Sequence, residues 1–270
     1  MKPFLKWAGG KRQLLPEINK YIPNTFNTYY EVFVGAGAVF LDLEKEHCVI
    51  NDKNEELINC YNVIKNNVEE LIKELKTYHN SKEFFLHIRG LDRDKKYNEL
   101  SAVKKAARFI YLNRTCFNGL YRVNKKGYFN VPFGDYTNPK IVDEENLRAI
   151  HNYLIEKDIK ITNVDFVDCL KNVKEGDFVY LDPPYDPLTS TSDFTAYGKD
   201  GFSREDQKRL KETLDELNKR NIKWLLSNSS TDFIKDLYKK YTIIEVDARR
   251  NINSDATKRG AVKEVLIKNF

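Results

Sequence analysis

The chain lacks the marks of several large classes of protein. Its four cysteines, Cys48, Cys60, Cys116 and Cys169, form no Cys-x-x-Cys pair and its four histidines stand singly, so neither a disulfide framework nor a structural metal site is expected. No apolar run approaches the roughly 20 residues of a membrane span, and Met1 to Gly10 carries no apolar signal segment. Low-complexity tracts are missing too. Together these absences lead us to expect a reducing, cytoplasmic setting without membrane attachment. Neither sign of charge dominates: 45 Lys and Arg against 40 Asp and Glu leave +5, which is compatible with a polyanionic partner without requiring one. What is present is ordinary globular material. The 270 residues, 41% hydrophobic and 31% charged, suffice for one core of moderate size carrying an inserted module.

The pattern along the chain predicts an α/β fold. Tyr29 to Phe33 and Cys48 to Asn51 read as short strands, separated by a glycine turn and a helical stretch from Ala38 to Glu46. This grammar builds parallel sheets with helices on both faces. It returns late, with strands at Phe178 to Leu181, Lys223 to Leu226, Thr242 to Val246 and Val262 to Lys268, and a helix over Ser203 to Arg220 that Ser203 is placed to cap. Between the blocks the chain turns helical, at Glu56 to Lys65, Val68 to Tyr78 and Ala102 to Asn113. A hairpin is then expected from Tyr121 to Val131, turning at Lys125-Lys126-Gly127. The resulting architecture is a discontinuous domain, residues 1–55 and 145–270, interrupted by a mainly helical module with a β-hairpin, residues 56–144.

Asp182-Pro183-Pro184-Tyr185 follows an apolar strand directly, where an open parallel sheet binds its ligands. Two prolines restrict the backbone, so the Asp182 carboxylate and the Pro183 carbonyl form a preset pair of acceptors for the two protons of a planar amino group, with Tyr185 available to stack. Phe33-Val34-Gly35-Ala36-Gly37 lies between an early strand and a helix, and its glycines allow the backbone to approach a nucleotide-like ligand. It is not a G-x-G-x-x-G fingerprint; the acid that ends the next strand, Asp52, is nearer and suits a ribose diol. Trp7-Ala8-Gly9-Gly10-Lys11 offers an aromatic face and an ammonium group before a helix, without the spacing of a P-loop. The basic segment from Arg249-Arg250-Asn251 to Lys258-Arg259-Gly260 reads as a loop between the last two strands and a candidate contact to phosphates.

Taken together, these elements resemble the Dam family of DNA adenine-N6 methyltransferases, whose GATC-specific members place Phe-x-Gly-x-Gly first, a target-recognition insert next and Asp-Pro-Pro-Tyr last. The likeness runs from Phe4 nearly to the C-terminus. It includes Leu112-Asn113-Arg114, Phe117-Asn118-Gly119-Leu120, Phe129-Asn130-Val131-Pro132-Phe133-Gly134 and Phe194-Thr195-Ala196-Tyr197. The resemblance implies a Rossmann-like methyltransferase sheet, S-adenosylmethionine as methyl donor, S-adenosylhomocysteine as product and double-stranded DNA as partner, with a cognate restriction endonuclease where the enzyme serves such a system. It further implies that Trp7, Lys11, Asp52 and Asp182 contact the donor, with Phe33, Gly35, Asp165 and Phe166 completing its pocket, and that Asp182, Pro183, Pro184 and Tyr185 carry the chemistry on a flipped adenine.

DNA recognition would fall to Lys6, Phe117, Asn118, Leu120, Arg122, Asn124 and Pro132. An Arg can read guanine O6 and N7, an apolar group can sense the thymine methyl, and an aromatic can fill the space of an extruded base. Asp135 is a departure, standing where GATC members commonly carry Arg. Other planar amino groups remain alternative acceptors: cytosine N4, a guanine amine in RNA, or a glutamine amide. A DNA-binding regulator that kept the fold without activity is the alternative from a different class.

Overall fold

The computed structural model describes residues 1–187, 201–249 and 261–270, apart from the side chains of residues 249, 261 and 262. Strands β1 (Tyr29–Glu31), β2 (His47–Asn51), β3 (Asp158–Thr162), β4 (Phe178–Leu181), β5 (Lys223–Ser229), β6 (Thr242–Arg249) and β7 (Ala261–Lys268) form one sheet of order β3-β2-β1-β4-β5-β7-β6. β1 to β5 pair in parallel, while β7 runs antiparallel between β5 and β6. The chain steps outward from β1 to β2 and β3, then returns to lay β4 on the other side of β1. Such a reversal leaves a crevice at the carboxyl ends of the two central strands.

The helices are α1 (Leu15–Asn19), α2 (Phe40–Leu43), α3 (Glu55–Asn66), α4 (Val68–Lys76), α5 (Lys82–Gly90), α6 (Ala102–Thr115), α7 (Glu144–Glu156), α8 (Phe166–Leu170), α9 (Arg204–Lys219) and α10 (Asp232–Leu237). Side chains of a strand alternate between faces, and here both faces are covered. Tyr29, Phe178, Tyr180, Leu225 and Leu266 enter one apolar cluster with Leu57, Leu71, Ile110 and Leu147 from α3, α4, α6 and α7. Tyr30, Val179, Leu181, Trp224, Leu226 and Ile267 enter a second with Leu170, Leu214 and Ile234 from α8, α9 and α10. Double burial is why β4 reads as an uninterrupted apolar run, all four residues being buried. The helices α3 and α6 therefore share a core with the sheet.

Polar residues set the helix starts. Asn54 and Ser101 accept the third amide of α3 and α6, and Ser203 forms a full capping box with Asp206 at α9, as its position before that helix predicts.

Two elements differ from their sequence expectation. The helix expected over residues 38–46 is only Phe40–Leu43, because Glu44 adopts φ +48° and ends it. The hairpin of residues 121–131 is not a ladder of two strands. It is closed by the single bridge Val123 to Phe129, by Asn124 N to Tyr128 O at 2.9 Å and by Asn130 N to Arg122 O at 3.1 Å. Side chains hold it instead: the Phe129 amide donates to Asp92 at 2.7 Å, and Arg93 donates to the Phe129 carbonyl at 2.8 Å.

Candidate active site

The crevice between β1 and β4 is built from residues that follow strand ends. Asp182, the first residue after β4, lies 2.9 Å from the ammonium group of Lys11, which is itself buried. Lys11 also donates to the Gly9 carbonyl at 2.5 Å and sits 4.6 Å from the centre of the Tyr185 ring. Tyr185 donates its hydroxyl to Glu264 of β7 at 2.8 Å. Burial pushes Asp182 up to about 6, against the pull of Lys11, and the nearby Glu264 adds to the upward push. The tetrapeptide thus presents a carboxylate with one fixed cation, beside an aromatic ring anchored at its far end.

After β1, Gly35 takes φ +49° and its amide donates to Asp52 at 3.0 Å. A Cβ at Gly35 would stand 2.8 Å from the Trp7 indole, so glycine is required for the indole to lie on this turn. Trp7 stacks on Tyr121, with ring centroids 5.9 Å apart and planes 15° from parallel. Asp52 accepts a second amide, that of Asn54, at 2.9 Å, yet burial outweighs both bonds and raises its carboxyl.

Past β3, Phe33, Phe166 and Phe202 gather, with Phe33 to Phe166 centroids 5.8 Å apart and Phe33 to Phe202 also 5.8 Å. Asp165 caps α8 through the Val167 amide at 3.0 Å and receives a bidentate fork from Arg209 at 2.9 and 3.0 Å. Burial would raise this carboxyl, but Arg209 and the amide prevail and hold it below its ordinary value. The Arg209 guanidinium also covers the Phe166 ring at 4.2 Å. Direct contacts thus join Trp7, Gly35 and Asp52 in one group and Lys11 with Asp182 in another, the Gly10 amide bonding to the Trp7 carbonyl at 3.1 Å in the segment between Trp7 and Lys11, while Phe33 packs against Phe166, the neighbour of Asp165.

The residues expected at DNA lie around the end of α6. Asn113, buried, accepts from the Lys6 amide at 2.8 Å and donates to the Lys6 and Gly119 carbonyls at 2.7 and 3.0 Å. It staples the Lys6 segment to the Phe117-to-Leu120 turn, in which Asn118 takes φ +57°. Phe117 is 45% exposed, which is unusual for a phenylalanine, and its amide donates to the carbonyl of the exposed Pro132 at 2.9 Å. Leu120 packs at the edge of the core. Arg122 donates to Asn130 at 2.8 Å. Asn124 is occupied in the turn, accepting the amides of Lys126 and Tyr128 at 2.9 and 3.1 Å. Asp135 is exposed with φ +51°. The Phe194-Thr195-Ala196-Tyr197 match lies outside the described residues, as does residues 250–260 of the basic loop.

Sequence reasoning missed Asn113 as a staple, Tyr121 as the platform under Trp7, and Glu264 and Arg209 as partners of site residues. Tyr185 and Glu264 are 79 positions apart, and no local spacing signals such a pair.

An open α/β sheet carries the glycine turn, the strand-end acid and the Asp-Pro-Pro-Tyr array at the carboxyl ends of its central strands, the place where such sheets bind ligands. The family model for D12 class N6 adenine-specific DNA methyltransferases matches residues 7–252, and the chain belongs to that family. It is 47% identical over 273 residues to the type II methyltransferase M1.LlaDCHI of Lactococcus lactis subsp. cremoris, covering 100% of this chain and 96% of the relative. Against the type II methyltransferase M.MjaIII of Methanocaldococcus jannaschii it is 45% identical, covering 100% and 99%. Against the DNA adenine methylase of Serratia marcescens it is 36% identical, covering 98% and 97%.

Proposed function

We propose that this adenine-specific DNA methyltransferase moves the methyl group of S-adenosylmethionine to N6 of an adenine flipped out of duplex DNA, with GATC as its target. The observation that carries the reading is the Lys11–Asp182 pair at 2.9 Å beside a Tyr185 ring anchored on Glu264.

The donor set fits the cofactor. Asp52 stands at a strand end for a ribose diol, Trp7 supplies an aromatic face fixed over Gly35, and Phe33, Asp165 and Phe166 flank the place for an adenine. When bound, S-adenosylmethionine supplies an electrophilic methyl group on sulfur. Ionised Asp182 accepts one N6–H and the Pro183 carbonyl accepts the other, which withdraws the nitrogen lone pair from conjugation and aims it at the methyl carbon. Tyr185 stacks on the base, and the raised Asp182 receives the proton that N6 sheds. Pro184 keeps the turn rigid.

Residues 56–144 would carry target recognition, residues 1–55 and 145–270 the chemistry. Phe117 enters the base stack, Arg122 reads guanine and Pro132 meets thymine, with Lys6, Asn118, Leu120 and Asn124 supporting them. The type II relatives support a setting beside a cognate restriction endonuclease. Mapping methylated bases in DNA from cells that express the protein tests the target. We expect N6-methyladenine confined to GATC; marks at another sequence would overturn that part of the reading.

A further inference from the structure

Tyr185 lies between two backbone groups that are both held from the same side. The Pro184 carbonyl accepts from Gln207 Nε2 at 2.8 Å, and the Asp186 amide donates to Asn228 Oδ1 at 3.2 Å. The two clamps are joined, because Asn228 Nδ2 donates to Gln207 Oε1 at 3.1 Å. Asn228 Oδ1 also accepts the Ser229 amide at 2.8 Å, and Ser229 donates its hydroxyl to the Asp186 carbonyl at 2.7 Å. Gln207, Asn228, Ser229 and Asp186 are all buried, at 1%, 0%, 0% and 3% exposure. A buried amide that both donates and accepts fixes a backbone more sharply than apolar packing does.

The clamp is set by the start of α9. Ser203 and Asp206 fix its first turn, and Arg204 and Gln207, three residues apart, share one face. Arg204 forks onto the Asp186 carboxylate at 2.8 and 3.2 Å, which also accepts the Thr231 hydroxyl at 2.8 Å. Gln207 engages the Pro184 carbonyl, the neighbour of the one assigned above to the substrate amine.

We propose that Gln207, backed by Asn228, is a positioning residue for methyl transfer: it holds the Pro184 carbonyl so that Asp182 and the Pro183 carbonyl stay in register with the amino group. It touches neither donor nor base. The inference rests on the function proposed above. Removing the clamp lets the acceptor pair shift by fractions of an ångström, which slows transfer without loosening either ligand.

The test is Gln207→Met, which keeps volume and loses the donor, assayed with S-adenosylmethionine and unmethylated duplex DNA well below its melting temperature. The expected result is a kcat lower by about 10- to 100-fold, with Kd for donor and DNA within about twofold of wild type. An unchanged kcat, or a loss matched by equal weakening of both ligands, overturns the proposal. Should Gln207→Met not fold, Gln207→Glu serves. Its carboxylate repels the Pro184 carbonyl at high pH, and its protonated form donates to it. Arg204, on the same helix, and Asp186 are the charged pair beside this position. The ratio of variant to wild-type kcat should therefore rise as pH falls, and a flat ratio near one overturns the proposal. A wild-type protein that makes no N6-methyladenine instead contradicts the underlying function.

Discussion

In the proposed mechanism Asp182 depends on a balance between two neighbours. Burial and Glu264 favour its neutral form, whereas Lys11 favours the charged form that accepts a hydrogen bond, and the balance falls at about 6. The kcat/KM for transfer should therefore fall as pH drops through about 6, since protonation removes the acceptor. Lys11→Met should move that acid limb upward and Glu264→Gln downward, as single-turnover pH profiles will show; a limb that stays in place in both variants contradicts the assignment. Glu31, buried under the same crevice and hydrogen-bonded by Tyr29 at 2.6 Å, is pushed by burial from 4.5 up to about 8. With its folded value above its unfolded one, its favourable contribution is whole below about pH 4.5 and is lost as pH rises through about 8. Glu31→Gln removes that loss. The variant should gain about 4 kcal/mol over wild type between pH 5 and 8.5, as urea unfolding will measure; an advantage that does not grow with pH contradicts it.

At the scale of elements, the glycine turn after β1 ties three segments together: Trp7 lies on Gly35, Asp52 accepts its amide, and Tyr61 donates to its carbonyl at 3.0 Å. Gly35→Ala introduces a methyl 2.8 Å from the indole at a positive φ, so either the indole or the turn must move. Donor affinity should fall by at least about 10-fold with the fold retained, as calorimetry will show; unchanged affinity would mean that Trp7 and this turn do not line the donor site. Much of this was legible in the sequence. The apolar run of β4, the Gly-x-Gly turn and the Ser203 cap are local signals, and each lies where local rules place it. The hairpin was less so, because its basic, amide and aromatic residues are held by Asp92 and Arg93 rather than by strand pairing. The fork of Arg209 on Asp165 spans 44 positions, and nothing local to either residue announces it.

Over the whole molecule, the segment proposed to recognise DNA and the side proposed to hold the donor are joined by a chain of polar contacts. Arg108, buried, lies 2.7 Å from Asp92, which holds the hairpin, and 3.5 Å from Glu56, which accepts the Tyr121 hydroxyl at 3.1 Å beneath Trp7. Helices α3, α4 and α6 share their core with the sheet, so the proposed recognition and transfer roles would rest on one continuous core rather than on separately packed bodies. This suits a reaction in which a base must be delivered to a fixed methyl group. The most direct test of the account incubates unmethylated duplex DNA with S-adenosylmethionine and either wild-type protein or Asp182→Ala, then digests the DNA and analyses its nucleosides by mass spectrometry. Wild type should yield N6-methyladenine and no N4-methylcytosine, while Asp182→Ala, folded and assayed at saturating donor, should lose at least about 1,000-fold in rate. Methylated cytosine from wild type, or near-normal transfer by Asp182→Ala, would contradict it.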